Sequence, residues 1–508
     1  MSKESRKEGI NVSEVRTLAR QTVVYGLGTI VPRFLNYGVV TLFYTRIFTK
    51  AEYGVITELY AWMVFLLIVL TYGMETGFFR FSQNSKDYDK VYSTTLISLL
   101  VTSLAFLLLV NIFIGPVSEV LDYRNNPDYI RMFAAIVAID AFTAIPFAKL
   151  RRENKAFLFS VIKIANVLII IVSVIFFLLI APGIHERSSG WFREIYDPGY
   201  GVGYVFLANL IGSAATLIML LPFISLRRPV FDRELWKRMM TYSIPLLITG
   251  LSGSVNDTLD KVILRRMTGE ENGLATLGEY GAGYKIAVLM ALFIQMFRFA
   301  AEPFFFERAK RPDSRQTYAQ VMKYFIIVML VIYLGINLYI SGFQYIIGKD
   351  FRGALGVVPI VAMGYLLYGI YINHSIWYKL TDLTKFGIYI TLTGAAVTVL
   401  INVLLIPVYG YMASAWAHIA SYGSMIIMSF VFAEKRFKVD YGMKQFIPYF
   451  AIAIGMVLFA RFFSYPSIVV ELAVNTALIL IFIAFAEHRD RILSLMIRKK
   501  QNEDKDSK

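Results

Sequence analysis

The sequence predicts an all-α integral membrane protein of about fourteen transmembrane helices, arranged as two parallel six-helix lobes followed by two C-terminal helices. Three observations support this fold class: the mean hydropathy of +0.58, a series of apolar runs of about 20 residues, and an internal repeat. Hydrophobic residues make up 57% of the 508 residues and charged residues only 17%, a balance that excludes an ordinary water-soluble domain.

The repeat consists of residues 52–79 and 279–306, which align without a gap at a spacing of 227 positions. Seven of the 28 aligned positions are identical, and in each copy a glutamate, Glu75 or Glu302, precedes a phenylalanine pair. Six predicted helices separate the starts of the two copies, so the copies should be parallel in the membrane. A duplicated membrane bundle of this kind is typical of transporters.

Fourteen segments are long and apolar enough to be predicted as membrane helices, and a charged or polar loop bounds each of them. In chain order they are 20–46, 52–79, 91–114, 129–149, 156–180, 201–224, 239–264, 277–306, 319–346, 354–378, 386–407, 410–433, 445–463 and 467–486.

The repeat divides these helices into predicted domains. Helices 1–6 form an N-lobe, helices 7–12 form a C-lobe, and helices 13–14 lie outside the repeat. The predicted boundaries are 1–19 for a cytoplasmic N-terminal segment, 20–224 for the N-lobe, 225–238 for a cytoplasmic linker, 239–433 for the C-lobe, 434–486 for helices 13–14 and 487–508 for a basic cytoplasmic tail.

The distribution of positive charge predicts the orientation. An even number of spans places both termini on one side, and 35 of the 51 lysines and arginines fall in the loops and tails of that side, against 11 on the other. Positively charged loops stay in the cytoplasm, so both termini are predicted to be cytoplasmic. The net charge of +15 therefore reflects topology and contact with lipid headgroups, and no nucleic-acid partner is expected.

Signals for enzyme chemistry are weak, so we expect no enzyme and no cofactor. The chain has no cysteine, and its four histidines lack the spacing of metal ligands. The segment 342–350 lacks the serine or threonine of a phosphate-binding loop. Without an ATPase module, transport would draw on an ion gradient, the membrane potential or the gradient of the substrate itself.

The residues from Asn256 to Lys261, followed by a loop with glycine and by the segment 277–284, resemble the multidrug/oligosaccharidyl-lipid/polysaccharide (MOP) exporter superfamily. Within it, the chain resembles the Wzx-type polysaccharide transporters, which are bacterial flippases for lipid-linked oligosaccharides. The resemblance covers roughly residues 15–490. It implies a MATE-like fold in the bacterial cytoplasmic (inner) membrane, with alternating access of two lobes around a cleft lined by helices 1, 2, 7 and 8.

The resemblance also implies a lipid-linked oligosaccharide substrate, contact with membrane lipids, H⁺ or Na⁺ as a candidate coupling ion, and glycosyltransferases or a glycan polymerase as functional neighbours. Three other functions stay open. They are a lipid II flippase, a cation-coupled multidrug antiporter of the same superfamily and, with less support, a membrane glycan polymerase or ligase.

Basic residues inside the predicted spans are the candidates for binding the phosphates of such a substrate. Lys285 aligns with Glu58 of the first copy and Arg298 with Thr71, so the second copy has become basic at both positions. Arg33 lies halfway along helix 1, too deep to reach an interface easily. We predict that Arg33, Lys285 and Arg298 bind phosphate, because arginine and lysine donate charge-assisted hydrogen bonds to it.

Simple pairings remain open for these basic residues. Arg298 and Glu302 are four residues apart and could pair on one helix face. Lys285 could extend to the membrane surface, and Arg33 could pair with Asp140 at a similar depth.

Acidic residues in the spans are candidates for ion coupling or gating. Glu75 and Glu302 match each other, which favours packing or gating common to both lobes. Asp257 and Lys261 are four apart and predicted to pair, which leaves Asp260 without an obvious partner.

The remaining polar positions are less specific. Asp140 could pair with Lys163 across helices, or couple to an ion. Asn36 and Asn256 are predicted to line the cleft as polar neighbours of Arg33 and Asp257. His374 and His418 could handle protons, although helix packing is the commoner role of such a histidine.

Overall fold

The computed structural model describes residues 31–32, 34–35, 41–83, 88–187, 190–224, 230–269, 272–309, 311–381 and 383–490. None of these residues lies in a β-strand, which confirms the predicted all-α fold class. Arg33 and Asn36 lie outside the described residues, so their predicted roles stay predictions.

The described helices are numbered here in chain order. They are α1 (Thr41–Ile47), α2 (Lys50–Thr71), α3 (Met74–Gln83), α4 (Tyr88–Ile112), α5 (Ile114–Val120), α6 (Pro127–Arg152), α7 (Ala156–Ile175), α8 (Ala181–Arg187), α9 (Trp191–Ile195), α10 (Gly203–Leu220), α11 (Arg233–Ser254), α12 (Asp260–Met267), α13 (Gly273–Ala287), α14 (Leu289–Arg308), α15 (Ser314–Leu338), α16 (Ile340–Phe343), α17 (Val358–His374), α18 (Ile376–Leu380), α19 (Lys385–Tyr409), α20 (Tyr411–Glu434), α21 (Ile447–Phe462) and α22 (Ile468–Asp490).

Shorter helical turns connect or extend several of these helices. Two are π-helical, Phe176–Ile180 and Val255–Leu259, and five are 3₁₀ turns, Pro198–Tyr200, Leu221–Phe223, Gln344–Ile346, Lys349–Val357 and Met443–Phe446.

Eleven helical stretches in the described part of the chain are long and apolar enough to cross a membrane. The pair α13 and α14 bends by 43° and, taken as one broken span, gives a twelfth. The chain is therefore a multi-span membrane protein. The number of candidate spans in its described part is close to the predicted fourteen. The predicted helix 20–46 falls mostly outside the described residues, and the predicted helix 239–264 is helical but too rich in polar residues to be among the eleven.

The chain divides into two compact units. Unit 1 comprises Met1–Asn36 and Met63–Gly250, and unit 2 comprises Tyr37–Trp62 and Leu251–Lys508. Helix α2 contributes residues to both. The predicted lobes, bounded by sequence symmetry alone, stay a prediction.

Unit 1 has its core where α3, α4, α6 and α11 meet. Phe78 and Met74 are fully buried there against Tyr92, and α3 is set off from α2 by a break at Tyr72 and Gly73. Both residues at the break have positive φ, and a Cβ at Gly73 would lie 2.8 Å from the carbonyl oxygen of Ser243. The glycine thus allows the chain to turn tightly beside α11.

Helix α11 begins with a side-chain cap at Asp232, in the connecting segment. A carboxylate oxygen of Asp232 accepts a hydrogen bond from the backbone N–H of Leu235 at 2.9 Å, and Lys90 pairs with the same carboxylate at 2.5 Å. These two contacts, the backbone bond first, hold the pKa of Asp232 below its usual value.

In unit 2, the first half of α2 packs closely on α13 through two glycines. A Cβ at Gly278 would lie 1.9 Å from the carbonyl oxygen of Lys50, and one at Gly54 would lie 2.0 Å from that of Leu274. Helix α2 begins with a capping box in which Thr49 and Glu52 bond each other's backbone N–H groups. Close packing here fixes α13, which carries part of the site described next.

Candidate functional site

A group of buried polar side chains in unit 2 surrounds the π-helical turn Val255–Leu259, between α11 and α12. A π-turn holds one extra residue and shifts the helical hydrogen-bond ladder, which frees backbone carbonyls for other partners. The carbonyl oxygen of Asp257, within this turn, accepts a hydrogen bond from Nζ of Lys261 at 2.6 Å.

The ammonium group of Lys261 has two further contacts. Its Nζ lies 3.1 Å from a carboxylate oxygen of Asp260 and 3.6 Å from the centre of the Tyr284 ring. The side chains of Lys261 and Asp260 are only 8% and 1% exposed. The predicted ion pair between Lys261 and the carboxylate of Asp257 is therefore wrong, because Lys261 meets the backbone carbonyl of Asp257 and pairs with Asp260 instead.

Asp260, which was expected to lack a partner, has several. Its second carboxylate oxygen accepts a hydrogen bond from the Tyr280 hydroxyl at 2.7 Å and lies 3.3 Å from Nε2 of His418. The carboxylate of Asp257 accepts a hydrogen bond from the Tyr422 hydroxyl at 2.5 Å. We refer to this set as the Asp260 cluster, whose members are Asp257, Asp260, Lys261, Tyr280, Tyr284, His418 and Tyr422.

The tyrosines of the Asp260 cluster were not predicted from the sequence. Tyr280 and Tyr284 are four residues apart on α13, and His418 and Tyr422 are four apart on α20, so each pair shares one helix face. This spacing of polar aromatic residues in apolar helices is the sequence pattern from which the tyrosines of the cluster could have been found. The hydroxyl of Tyr284 also bonds that of Tyr365, on α17.

Asn256, in the same π-turn, holds neighbouring helices together. Its side-chain oxygen accepts hydrogen bonds from the hydroxyls of Thr398 and Ser421, each at 2.9 Å. The residue is 2% exposed, and these bonds tie the π-turn to α19 and α20. Its position favours a packing role, and its predicted place in a cleft stays a prediction.

A second buried ion pair lies near the start of unit 2. Glu58 and Arg265 approach to 3.3 Å, with side chains that are 0% and 4% exposed. Lys285, the residue that aligns with Glu58 in the second copy, is half-buried on α13 and within electrostatic range of Lys261. The aligned positions thus carry opposite charges in different surroundings.

Arg298 is half-buried on α14, and Glu302, the alternative partner that the sequence left open, pairs with another residue. Lys379 donates a hydrogen bond to Glu302 at 2.5 Å, and the structure does not form the alternative pair of Arg298 with Glu302. Among the described residues, no carboxylate lies within ion-pair distance of Arg298. It interacts electrostatically with Tyr368, whose ring centre lies 4.9 Å from that of Tyr422 in the Asp260 cluster.

The matched glutamates of the repeat have matched partners. In unit 1, Arg151 donates a hydrogen bond to Glu75 at 2.5 Å across 76 residues of sequence, and in unit 2 Lys379 binds Glu302 at the same distance across 77. The duplication thus extends to an ion pair that joins two helices in each unit. This supports a shared structural role, and gating by these glutamates stays a prediction.

Asp140 lies in unit 1, half-buried on α6. The Ser213 hydroxyl donates a hydrogen bond to its carboxylate at 2.8 Å, and Lys163 interacts with it electrostatically. The ammonium group of Lys163 lies 4.0 Å from the centre of the Phe147 ring. Asp140 therefore interacts with Lys163, the partner that the sequence suggested. Its alternative partner, Arg33, lies outside the described residues.

His374 is engaged in helix packing. Its Nδ1 lies 2.7 Å from the Ser429 hydroxyl, which also accepts a hydrogen bond from the indole of Trp377. Within the described ranges, no three His, Asp or Glu side chains come together as ligands for a metal ion.

Comparison with solved structures identifies the fold. The structure is similar to a lipid II flippase, MurJ, in an inward closed conformation, with a TM-score of 0.68 at 15% sequence identity, covering 92% of this chain and 99% of that one. It is also similar to an outward-facing multidrug resistance MATE family transporter of the MOP superfamily, with a TM-score of 0.60 at 16% identity, covering 83% and 95%. The fold of this chain is therefore the one that these solved membrane transporters share.

The sequence places the chain within a particular family. The profile of the polysaccharide biosynthesis protein family matches residues 18–309, which is more than half of the chain. The chain therefore belongs to the polysaccharide biosynthesis protein family, and the predicted resemblance is confirmed at this level. No curated protein matches it significantly.

Proposed function

We propose that the protein is a flippase that moves a lipid-diphosphate-linked oligosaccharide across the bacterial cytoplasmic membrane by alternating access. The cargo would be the repeat unit of a polysaccharide, O-antigen or capsule. The observation that carries this proposal is membership of the polysaccharide biosynthesis protein family in a chain whose fold matches a lipid II flippase over 92% of its length.

Positive charge within the spans is what an anionic lipid substrate requires. A charge in the hydrocarbon region costs at least about 2.5–3.5 kcal/mol at a helix centre, so it is retained only for a function or a partner. Arg298 has no carboxylate partner among the described residues, and its planar guanidinium matches a phosphate group. We assign Arg298 to the diphosphate, together with Lys285 and Arg33.

The competing functions differ in how well these observations fit them. A lipid II flippase shares every feature above and remains the nearest alternative. The multidrug MATE transporters match a smaller share of the chain, 83%. A glycan polymerase or ligase would be an enzyme, whereas the solved structures with this fold are transporters and flippases.

The proposal extends to the surroundings of the protein. Both termini would lie in the cytoplasm, as the distribution of lysine and arginine predicts. The glycosyltransferases that build the oligosaccharide would act before this protein and a polymerase after it, while membrane lipids surround it.

Deletion of the gene tests the proposed function. The mutant is expected to lose the surface polysaccharide and to accumulate complete lipid-linked oligosaccharide, because synthesis continues while export stops. Thin-layer chromatography and mass spectrometry of the extracted lipids measure both changes, and a plasmid copy should reverse them.

Other outcomes would support the alternatives. Accumulated peptidoglycan precursor with lysis indicates a lipid II flippase. Drug sensitivity with normal surface glycan indicates the antiporter. Exported single repeat units that are not polymerised indicate a polymerase. Each of these results would contradict the oligosaccharide flippase.

A further inference from the structure

We propose that Lys261 is a built-in cation: its ammonium group occupies a buried site that would otherwise bind a soluble monovalent cation such as Na⁺. The site is formed by the π-turn carbonyl of Asp257, the carboxylate of Asp260 and the ring of Tyr284. The proposal does not depend on which lipid the protein carries.

The contacts of Lys261 are those that a small hard cation prefers. Carboxylate and backbone carbonyl oxygens are typical ligands of such ions, and Nζ has one of each at 3.1 and 2.6 Å. The third direction of the ammonium group points at the Tyr284 ring, at 3.6 Å from its centre, which is a cation–π contact. A lysine ammonium is a compact point charge with three donors, so these three contacts complete its coordination.

The rest of the Asp260 cluster would hold the site in place without Lys261. Tyr280 and His418 contact the second oxygen of Asp260 and fix its carboxylate, and the Tyr422 hydroxyl holds the carboxylate of Asp257. Such outer contacts orient ligands for a cation. The Asp257 carbonyl belongs to the π-turn Val255–Leu259, and it also accepts a hydrogen bond from the Tyr284 hydroxyl at 3.4 Å, which does not involve Lys261.

The charges of the Asp260 cluster determine what should happen when Lys261 is replaced. The groups that face the site are the carboxylates of Asp257 and Asp260, His418, the tyrosine hydroxyls and, at longer range, the ammonium of Lys285. Replacing Lys261 with a neutral residue leaves the carbonyl oxygen of Asp257 and the carboxylate of Asp260 without the ammonium group that contacts them. A buried uncompensated charge is unfavourable, so a cation from solution should enter.

The ammonium group of Lys261 has a consequence for how the site would take part in transport. Any movement that opens the site must break the Lys261–Asp260 contact. A soluble Na⁺ ion is then not required here, because the chain supplies the positive charge.

The test compares thermal unfolding of the purified full-length protein in choline chloride and in NaCl at equal ionic strength. The wild type should have the same midpoint in both salts. Lys261→Ala should be less stable in choline and should gain at least about 2 °C as NaCl rises, with saturation, since a ligand that binds only the folded state stabilises it. KCl and LiCl, tested in the same way, should give smaller saturating shifts if the site selects by ion size.

The double variant Lys261→Ala/Asp260→Asn is the matched control, because it lacks the ligand carboxylate and should lose the NaCl response. If Lys261→Ala does not fold, Lys261→Gln replaces it with the same expectation, since the amide is neutral and similar in length. A saturating Na⁺ shift in the wild type would overturn the proposal, as would equal midpoints in choline and NaCl for the neutral variants. Neither result bears on the flippase assignment, which the analysis of extracted lipids tests separately.

Discussion

Replacing Arg298 with alanine is expected to reduce export of the oligosaccharide by about tenfold or more while the protein remains folded and in the membrane. A hydrogen bond to a charged group contributes about 1.5–3 kcal/mol, and 1.4 kcal/mol corresponds to a factor of ten. Because no described carboxylate pairs with Arg298, the substitution removes no ion pair from the described fold. Surface glycan measured against the level of membrane-inserted protein gives the result.

Two variants control this prediction. Arg298→Lys keeps the charge but loses the planar fork, so it should retain part of the activity. Thr71→Ala changes the aligned position of the first copy, where Thr71 bonds only its own helix backbone, and should leave export unchanged. Wild-type export by Arg298→Ala would remove this residue from the mechanism.

The second large effect concerns stability. Replacing Arg265 with methionine should destabilise the protein by about 3–5 kcal/mol, because it removes the guanidinium that contacts the buried carboxylate of Glu58. Thermal unfolding in detergent, followed by the loss of monodisperse protein on size exclusion, measures the change.

The double variant Glu58→Gln/Arg265→Met distinguishes charge from packing. It removes both charges and should recover most of the lost stability. The exposed pair Lys438–Glu434 provides the control, since Glu434→Gln should change stability by less than about 0.5 kcal/mol. Equal destabilisation in the single and double variants would show that packing, and not the ion pair, dominates.

The helical architecture could be predicted from the sequence because long apolar runs bounded by charged loops have few other stable arrangements in a membrane. The internal repeat likewise predicted that Glu75 and Glu302 share a role. Their partners could not be predicted, because Arg151 and Lys379 lie far along the chain and reach the glutamates only after the helices pack.

The pairing of Lys261 was missed for a local reason. On a regular α-helix, Lys261 and Asp257 share a face, and the spacing of four predicts that their side chains pair. The π-turn at Val255–Leu259 changes this register, so that Lys261 meets the carbonyl of Asp257 and the carboxylate of Asp260. No short sequence pattern predicts a π-turn, and the tyrosines that complete the cluster come from α13 and α20.

The breaks in the two repeated helices also escaped prediction. The first copy breaks at Tyr72 and Gly73, whereas the second bends at Val288, which aligns with position 61. The aligned sequences suggested one shape for both copies.

The most direct measurement of the central claim is the leaflet on which the lipid-linked oligosaccharide lies. Inside-out and right-side-out vesicles from the deletion strain and from the complemented strain are treated with impermeant periodate, which oxidises only exposed sugars. In the deletion strain, the oligosaccharide should be oxidised in inside-out vesicles and protected in right-side-out ones. Complementation with the wild type should expose it in right-side-out vesicles, and Arg298→Ala should not. Equal exposure in both strains would contradict the flippase account.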